Sequence, residues 1–179
     1  MLNKFLKKSQ TVPIDNFLDN VLYDDQNGYY SKKNPFGKKG DFVTAPQIST
    51  LFNEMIAVWI ISLWEHLKCP KQFNLIELGA GNGEMIRILL KTFNNFPKFK
   101  LACKIKIFEK SDFLKKIQKK NIESKNIKWL KDLNEIDNSP SIFIANEFFD
   151  AIPIKQFLKK NNRWYERYIK FKNYKPTEY

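Results

Sequence analysis

The sequence predicts an α/β fold, with about five strands in a parallel sheet and a helical N-terminal extension. Three observations indicate it. Short apolar runs alternate with amphipathic segments from residue 73 onward, which is typical of a parallel sheet covered by helices. A glycine-rich turn follows the first apolar run. Of the 179 residues, 43% are hydrophobic and 15% are aromatic, so the chain is able to form one domain with its own core.

Two helices are predicted in the N-terminal part of the chain. Apolar side chains recur at helical spacing in residues 12–24, and a longer helix is predicted for residues 49–67, with Ser49 as its N-cap. The segment between them is rich in turn-forming residues and contains GDFVTAP at positions 40–46. The predicted apolar face of the longer helix consists of Phe52, Ile56, Trp59, Leu63 and Leu67.

After residue 70 the chain alternates between strands and helices. The predicted strands are 73–78, 104–109, 127–130, 141–145 and 164–171, and the predicted helices are 84–93 and 111–121. We therefore expect residues 1–70 to form a helical and loop segment, and residues 71–179 to form the sheet domain.

The glycine-rich turn, ELGAGNG, is the best guide to a ligand. Gly79 and Gly81 have no Cβ, so the backbone turns tightly and a ligand can pack against it. The third glycine is Gly83, whereas a dinucleotide fingerprint requires glycine at the position of Glu84. An acid, Glu77, before G-x-G-x-G favours a cationic nucleoside, S-adenosyl-L-methionine. The alternatives are a nicotinamide or flavin cofactor, or a turn that only packs a helix on a strand.

A second acid, Glu109, ends the second predicted strand of the sheet. A carboxylate at this position accepts hydrogen bonds from the ribose hydroxyls of a nucleoside. Ser111 and Trp129 are further candidates, since both are expected to border the adenine. Glu77 is expected to hold the methionine amino end of the cofactor or the glycine turn itself.

Polar and aromatic residues follow the fourth predicted strand. Asn146 offers an amide carbonyl that orients an amino group, and Glu147 offers a carboxylate that binds a guanidinium through two hydrogen bonds. Phe148 and Phe149 are expected to wall the site. The alternative is that Glu147 and Asp150 cap a following helix and that the phenylalanines are core residues.

Together these motifs resemble the class I S-adenosylmethionine-dependent methyltransferases of the family that includes the mitochondrial complex I assembly factor, also called MidA. GDFVTAP and NEFFDAIP are the most specific of them. Two residues depart from the family pattern: Asn82, where arginine is frequent, and Gln47, where glutamate is frequent. The matching segments are 13–31, 40–49, 73–85, 107–118, 128–130, 144–157 and 164–167.

The resemblance implies a Rossmann-like class I methyltransferase sheet and methyl transfer from S-adenosyl-L-methionine to a protein arginine, with Glu147 and Asn146 as the catalytic residues. In mitochondrial members the substrate is a complex I subunit. Family members are roughly twice as long as this chain and have more strands than the five predicted here. We therefore expect the C-terminal part of the domain to be absent from the sequence.

The GDFVTAP segment also has an interpretation from its residues. Gly40 allows a tight bend and Pro46 stiffens the exit from it. Asp41 and Thr44 are expected to close over the cofactor, whose sulfonium is cationic. The alternative is a turn that caps the helix at 49–67.

The net charge of +12 lies in the second half of the chain, because residues 1–90 carry +1 and residues 91–179 carry +11. A basic surface for RNA or an acidic partner is one interpretation. A lysine-rich composition without such a role is favoured, since lysine greatly outnumbers arginine. An RNA or small-molecule methyltransferase and a non-catalytic cofactor-binding assembly protein remain the alternative functions.

Other sequence features bound the function further. Cys69, Cys103 and the single histidine, His66, form no metal-ligand cluster, and two free thiols suit a reducing compartment. No apolar run is long enough for a membrane span. The N-terminus lacks the apolar region of a signal peptide. We expect a cytoplasmic protein, or a mitochondrial one in a eukaryotic cell.

Overall fold

The computed structural model describes residues 9–37, 40–124, 126–172 and 175–177. Its helices are α1 (Ile14–Tyr23), α2 (Tyr29–Lys32), α3 (Ala45–Ile48), α4 (Thr50–His66), α5 (Glu84–Phe93), α6 (Pro97–Ala102) and α7 (Asp112–Asn121). Its strands are β1 (Ser9–Pro13), β2 (Phe73–Leu78), β3 (Cys103–Phe108), β4 (Ile127–Leu130), β5 (Ser141–Ile144), β6 (Phe157–Lys160), β7 (Arg163–Glu166), β8 (Tyr168–Lys172) and β9 (Lys175–Thr177). Short 3-10 helices span Leu133–Glu135 and Phe149–Ala151.

Contacts group the described chain into two compact units. One unit comprises residues 34–148, and the other comprises the residues up to 33 together with those from 149 onward. The boundary suggested at residue 70 does not coincide with this grouping, because α4, which precedes it, packs against α5, which follows it. The domain limits 1–70 and 71–179 stay a prediction.

The unit of residues 34–148 is built on a parallel sheet of four strands in the order β4-β3-β2-β5. The central strand is β2, and all six of its residues are buried. Phe73 and Leu75 belong to a core shared with α4, α5 and α6, whereas Ile76 and Leu78 pack with Leu130 in a second cluster. The α/β fold with a parallel sheet is therefore confirmed.

The predicted fifth strand, 164–171, is wrong as a member of this sheet. Its residues form β7 and β8, which are separated at Arg167. β7 pairs antiparallel with β6, and β8 pairs antiparallel with β1 and β9. The turn between β6 and β7 contains Asn161 and Asn162, both with positive φ, which is the backbone that a two-residue hairpin turn requires.

The other unit combines the antiparallel sheet β1-β8-β9 with α1 and the hairpin of β6 and β7. The rings of Phe17 on α1 and Phe171 on β8 lie 5.9 Å apart between centroids. The Tyr23 hydroxyl donates a hydrogen bond to the Ala151 carbonyl at 3.1 Å, which joins the two sequence segments of this unit. The helix predicted at 12–24 is α1, although its first two residues belong to β1.

Helix α4 begins as predicted, because the Ser49 hydroxyl accepts a hydrogen bond from the Phe52 amide at 3.2 Å. Its predicted apolar face is correct for Phe52, Ile56 and Leu63, which pack against the core. It is wrong for Trp59 and Leu67, which are 52% and 47% exposed. Apolar residues occur on several sides of α4, so periodicity alone does not determine which side is buried. The buried residues are Asn53, Ala57, Ile60, Ile61 and Trp64.

Within the described ranges, no helix combines the length and the apolarity that crossing a bilayer requires.

Candidate cofactor site

The glycine turn leaves the carboxyl end of β2 in a left-handed backbone conformation. Gly79 and Gly81 have φ of +68° and +53°, values that glycine adopts without strain. A Cβ on Gly79 would lie 2.6 Å from the ring of Phe148, and a Cβ on Gly81 would lie 3.4 Å from the ring of Phe36. The Phe148 ring leaves no room for a side chain at Gly79. At Gly81 an added Cβ would make an ordinary contact, and glycine is favoured there by the positive φ.

The third glycine of the turn has a packing role. Gly83 is the N-cap of α5 with φ of +84°, and a Cβ there would lie 2.9 Å from Cδ1 of Ile122. The space beside Gly83 is filled by the Ile122 side chain rather than left open to a ligand. A cofactor-binding role for Gly83 stays a prediction.

Glu77, just before the turn, is a buried acid with unused hydrogen-bonding capacity. Its side chain is 3% exposed, and its Oε2 atom accepts no hydrogen bond from the described residues. Burial, together with the charge of Glu109, raises the pKa of Glu77 to about 8. A buried carboxylate without a partner is costly, and a cationic ligand would remove that cost. This atom is the feature that best fits the amino end of S-adenosyl-L-methionine.

Glu109 lies at the end of the neighbouring strand, and both of its oxygens are hydrogen-bonded. Oε1 accepts from the Ser111 amide at 2.9 Å, and Oε2 accepts from Nε2 of Gln118 at 3.0 Å. Burial raises the pKa of Glu109, while these hydrogen bonds and the charge of Lys115 oppose the increase. A carboxylate has about four acceptor positions, so Glu109 is able to accept from ribose hydroxyls as well.

Gln118 is a residue that the sequence analysis missed. It is completely buried on α7, where its Nε2 also donates to the Gly81 carbonyl at 2.9 Å. Its Oε1 accepts from the indole of Trp129 at 3.0 Å. Its signals in the sequence are a polar residue one turn after Leu114 and its place at the end of the matching segment 107–118.

Ser111 and Trp129 lie at the same edge of the sheet as the two acids. The Ser111 hydroxyl accepts from the Leu114 amide at 3.1 Å and so caps α7. The ring of Trp129 lies under Lys119, with Nζ 5.3 Å from the ring centroid. The adenine contacts expected of both residues stay predictions.

Asn146 and Glu147 follow β5, which is the neighbour of β2 on the opposite side from β3. Ile144 pairs with Glu77, so the chain leaves β5 beside the glycine turn, and Phe148 then packs on Gly79. Glu147 is exposed and has φ of +49°, a strained value for a residue with a side chain. Strain of this kind is concentrated at functional sites, and the catalytic roles remain predictions.

Of the two phenylalanines expected to line the site, Phe148 and Phe149, Phe148 packs against the glycine turn. Phe149 is 69% exposed and begins the 3-10 helix Phe149–Ala151, which belongs to the other unit. Asp150 is exposed within that helix.

Phe36 reaches the glycine turn from a position just before GDFVTAP and is bridged to Phe42 of that motif. The Gly37 amide donates to the Phe42 carbonyl and the Phe42 amide donates to the Pro35 carbonyl, both at 2.9 Å. These two bonds hold the ring of Phe36 against Gly81. Sequence reasoning did not identify Phe36, because nothing in its local sequence indicates a contact with residue 81.

Asp41 and Thr44 occupy different environments. Asp41 is exposed, whereas Thr44 is buried and its carbonyl accepts from the amides of Gln47 and Ile48 at the start of α3. Their predicted closure over the cofactor stays a prediction.

The histidine and the cysteines stand apart from the site. His66 is exposed in the last turn of α4, with Nδ1 2.7 Å from the Ser62 carbonyl. Burial raises the pKa of the Cys103 thiol to about 12, and Cys69 is exposed. No group of three or more His, Cys, Asp or Glu residues in the described part of the chain is arranged to hold a metal.

Comparisons with known proteins identify the family of the chain. A family model described as "Putative S-adenosyl-L-methionine-dependent methyltransferase" matches residues 55–178. The chain is 32% identical over 188 residues to the mitochondrial protein arginine methyltransferase NDUFAF7 of Xenopus laevis, covering 92% of this chain and 43% of the relative. The human protein of the same name is 28% identical, with the same two coverages.

Solved structures give the same result. A crystal structure of a COG1565 superfamily member from Burkholderia thailandensis, bound to S-adenosyl-homocysteine, matches with a TM-score of 0.71 and 26% identity. The match covers 89% of this chain and 42% of that chain. A native crystal structure from the same organism matches with a TM-score of 0.67. The chain thus spans less than half the length of the relatives it matches.

Proposed function

We propose that this chain, which belongs to the family of S-adenosyl-L-methionine-dependent methyltransferases, takes part in the methylation of arginine on a protein substrate. The observation that carries the proposal is the buried Oε2 of Glu77 beside the glycine turn, which has no hydrogen-bond partner among the described residues. Support for the substrate class comes from the relatives, which are named protein arginine methyltransferases.

The cofactor is bound at the carboxyl ends of β2 and β3. The bound cofactor supplies an electrophilic methyl group on a cationic sulfur. Glu77 accepts the positively charged amino end, and Glu109 accepts the ribose hydroxyls. Phe148 and Phe36 cover the turn and exclude water, which strengthens both interactions.

The acceptor arginine is held by the segment after β5. A guanidinium is protonated at neutral pH, so a carboxylate is needed to orient it. Glu147 forms two parallel hydrogen bonds to the guanidinium, and the Asn146 side-chain carbonyl accepts a third. Their roles are to position the nucleophilic nitrogen and to stabilise its charge.

A second candidate function is cofactor binding without methyl transfer. It is favoured by the length of the chain, which covers 43% of the Xenopus laevis relative. In this case a longer polypeptide or a partner would complete the acceptor site.

Incubation of the purified chain with methyl-labelled S-adenosyl-L-methionine and a cell extract tests the proposal. We expect label in protein, recovered as methylarginine after hydrolysis. Label in RNA or in a small molecule would support the other methyltransferase functions instead. Binding of S-adenosyl-homocysteine with no label transferred would support the second candidate, and no binding would overturn both.

We further propose a role in the assembly of respiratory complex I and a cytoplasmic location, or a mitochondrial one if the source is eukaryotic. The relatives are mitochondrial by name, which supports the second compartment. A fluorescent fusion in the source cell, followed by co-purification with complex I subunits, tests both statements.

A further inference from the structure

We propose that Gln118 is a positioning residue of the cofactor site, which locks the glycine turn to the carboxylate of Glu109. The inference rests on the proposed cofactor site and gives Gln118, a residue with no role predicted from the sequence, the task of presetting the geometry of that site. Glu109 and the Gly81 carbonyl belong to different elements, and Gln118 is hydrogen-bonded to both.

All three hydrogen bonds of the Gln118 amide hold it in one orientation. An indole N–H is only a donor, so Oε1 of Gln118 has to face Trp129. Nε2 then has two acceptors, the Gly81 carbonyl and Oε2 of Glu109. A flipped amide would place an oxygen against both of these acceptors and would lose all three bonds.

A purely structural role does not require glutamine at this position. The buried positions of α7 are Leu114 and Gln118, and a second apolar residue would fill the same space. A buried amide is tolerated only when its polar atoms are hydrogen-bonded. The partners found here lie on three different elements: the turn after β2, the end of β3, and β4.

The positioning acts through the charge of Glu109. Lys115 on α7 is the charged group that influences Glu109, and the Ser111 and Lys110 amides are further donors to it. Glu77 on β2 is the second acid of the site, and its pKa is raised by the charge of Glu109. A donor such as Gln118 favours the ionised form of a carboxyl group. Without the hydrogen bond from Gln118, Glu109 binds the ribose more weakly. Glu109 also becomes protonated at a higher pH, so the pH below which binding is lost increases.

The decisive variant is Gln118→Met, which keeps the volume of the side chain and removes its hydrogen bonds. Titration of the full chain with S-adenosyl-homocysteine by calorimetry, from acid to neutral pH, measures affinity independently of activity. We expect binding roughly tenfold weaker or more at neutral pH, together with the upward pH displacement. Equal affinity and an identical pH profile would overturn the proposal.

Asn121→Ala is the matched control. Asn121 lies on the same helix and donates to the Asn82 carbonyl of the same turn at 3.0 Å, from an exposed position. It has no hydrogen bond to Glu109, so its loss should leave the pH profile of binding unchanged. A profile displaced equally in both variants would show that any support of the turn suffices and would overturn the specific role of Gln118.

A second variant, Trp129→Phe, keeps the experiment decisive if Gln118→Met does not fold. It retains an aromatic ring and removes the donor that fixes the orientation of the Gln118 amide. We expect a smaller displacement in the same direction, and no displacement would overturn the proposal. If the wild-type chain does not bind S-adenosyl-homocysteine, the proposed cofactor site is wrong. If the wild type binds it and the variants bind with the same affinity and pH profile, only the proposed role of Gln118 is wrong.

Discussion

Glu77 and Glu109 end adjacent parallel strands, and the charge of Glu109 adds to burial in raising the pKa of Glu77 to about 8. Two acids are thus held at one edge of the sheet, and only Glu109 has hydrogen bonds to both of its oxygens. Their roles differ accordingly. Glu109 is already ordered for neutral donors such as hydroxyls, whereas Glu77 remains available to a cation.

The raised pKa of Glu77 predicts a stability that depends on pH. The native state keeps the Glu77 proton up to a pH of about 8, whereas the ordinary value is 4.5. Between these values the native state binds more protons than the unfolded state, so stability is lost as the pH rises. The free energy of unfolding, measured with urea, should fall by up to roughly 1.4 kcal/mol per pH unit in this range.

The variant Glu77→Gln is the control for this titration, since it keeps the shape of the side chain without its charge. Its free energy of unfolding should vary less with pH than that of the wild type, and it should exceed the wild-type value at pH 8. Parallel curves for the two proteins would show that Glu77 does not carry the effect.

Cofactor binding should release a proton from Glu77. Near neutral pH the free carboxyl is largely protonated, and a cationic ligand favours the ionised form. Calorimetric enthalpies of S-adenosyl-homocysteine binding should therefore differ between phosphate and Tris buffers, by an amount that corresponds to at most about one released proton. The difference should disappear in Glu77→Gln, and its persistence there would assign the proton to another group.

The sequence predicts β2 correctly but not the pairing of residues 164–171, and the local patterns in the two segments explain the difference. The limits of β2 are predicted correctly because the strand is mainly apolar, as expected of a strand buried on both faces, although it includes Asn74 and Glu77. The alternation in 164–171 continues past Arg167 and predicts one strand, whereas in the structure β7 and β8 on either side of Arg167 pair with different strands. The turn at Asn161 and Asn162 was a local hairpin signal that contradicted a single parallel strand.

The site was predictable only where its residues lie in motifs. Glu77, the glycines and Glu109 lie at the ends of apolar strands, where parallel sheets place their ligands. Phe36 and Gln118 reach Gly81 from 45 and 37 positions away along the chain. Such contacts depend on how loops and helices pack, and no periodicity in a single sequence specifies them.

Replacement of Gly79 by alanine should destabilise the turn. The new Cβ would lie 2.6 Å from the Phe148 ring, on a backbone with φ of +68°. Gly37→Ala is the matched control, because its φ is +98° and no atom of the residues that the structure describes lies within 4 Å of the added Cβ. Urea unfolding should show a loss of about 2–4 kcal/mol for Gly79→Ala, and a smaller loss for the control. Equal losses of unfolding free energy in the two variants would mean that the Phe148 ring moves away from the new Cβ without destabilising the protein.

Glu109→Ala should weaken cofactor binding without altering the sheet. The variant removes the acceptor assigned to the ribose, and loss of hydrogen bonds to a charged group is expected to reduce affinity about tenfold to a hundredfold. Glu123→Ala, an exposed acid beyond α7, serves as the control. Calorimetry with S-adenosyl-homocysteine measures both. An unchanged affinity in Glu109→Ala would remove its assigned role.

Glu147→Gln should separate cofactor binding from methyl transfer. Glu147 is exposed beside the glycine turn, and the amide keeps its size while losing the charge that holds a guanidinium. We expect unchanged affinity for S-adenosyl-homocysteine and transfer to protein arginine that is about tenfold to a hundredfold slower. Asp150→Asn, an exposed acid in the following 3-10 helix, tests whether any nearby negative charge suffices. Full transfer by Glu147→Gln would place the acceptor site elsewhere, and an equal loss in Asp150→Asn would assign the effect to the general field of the acids.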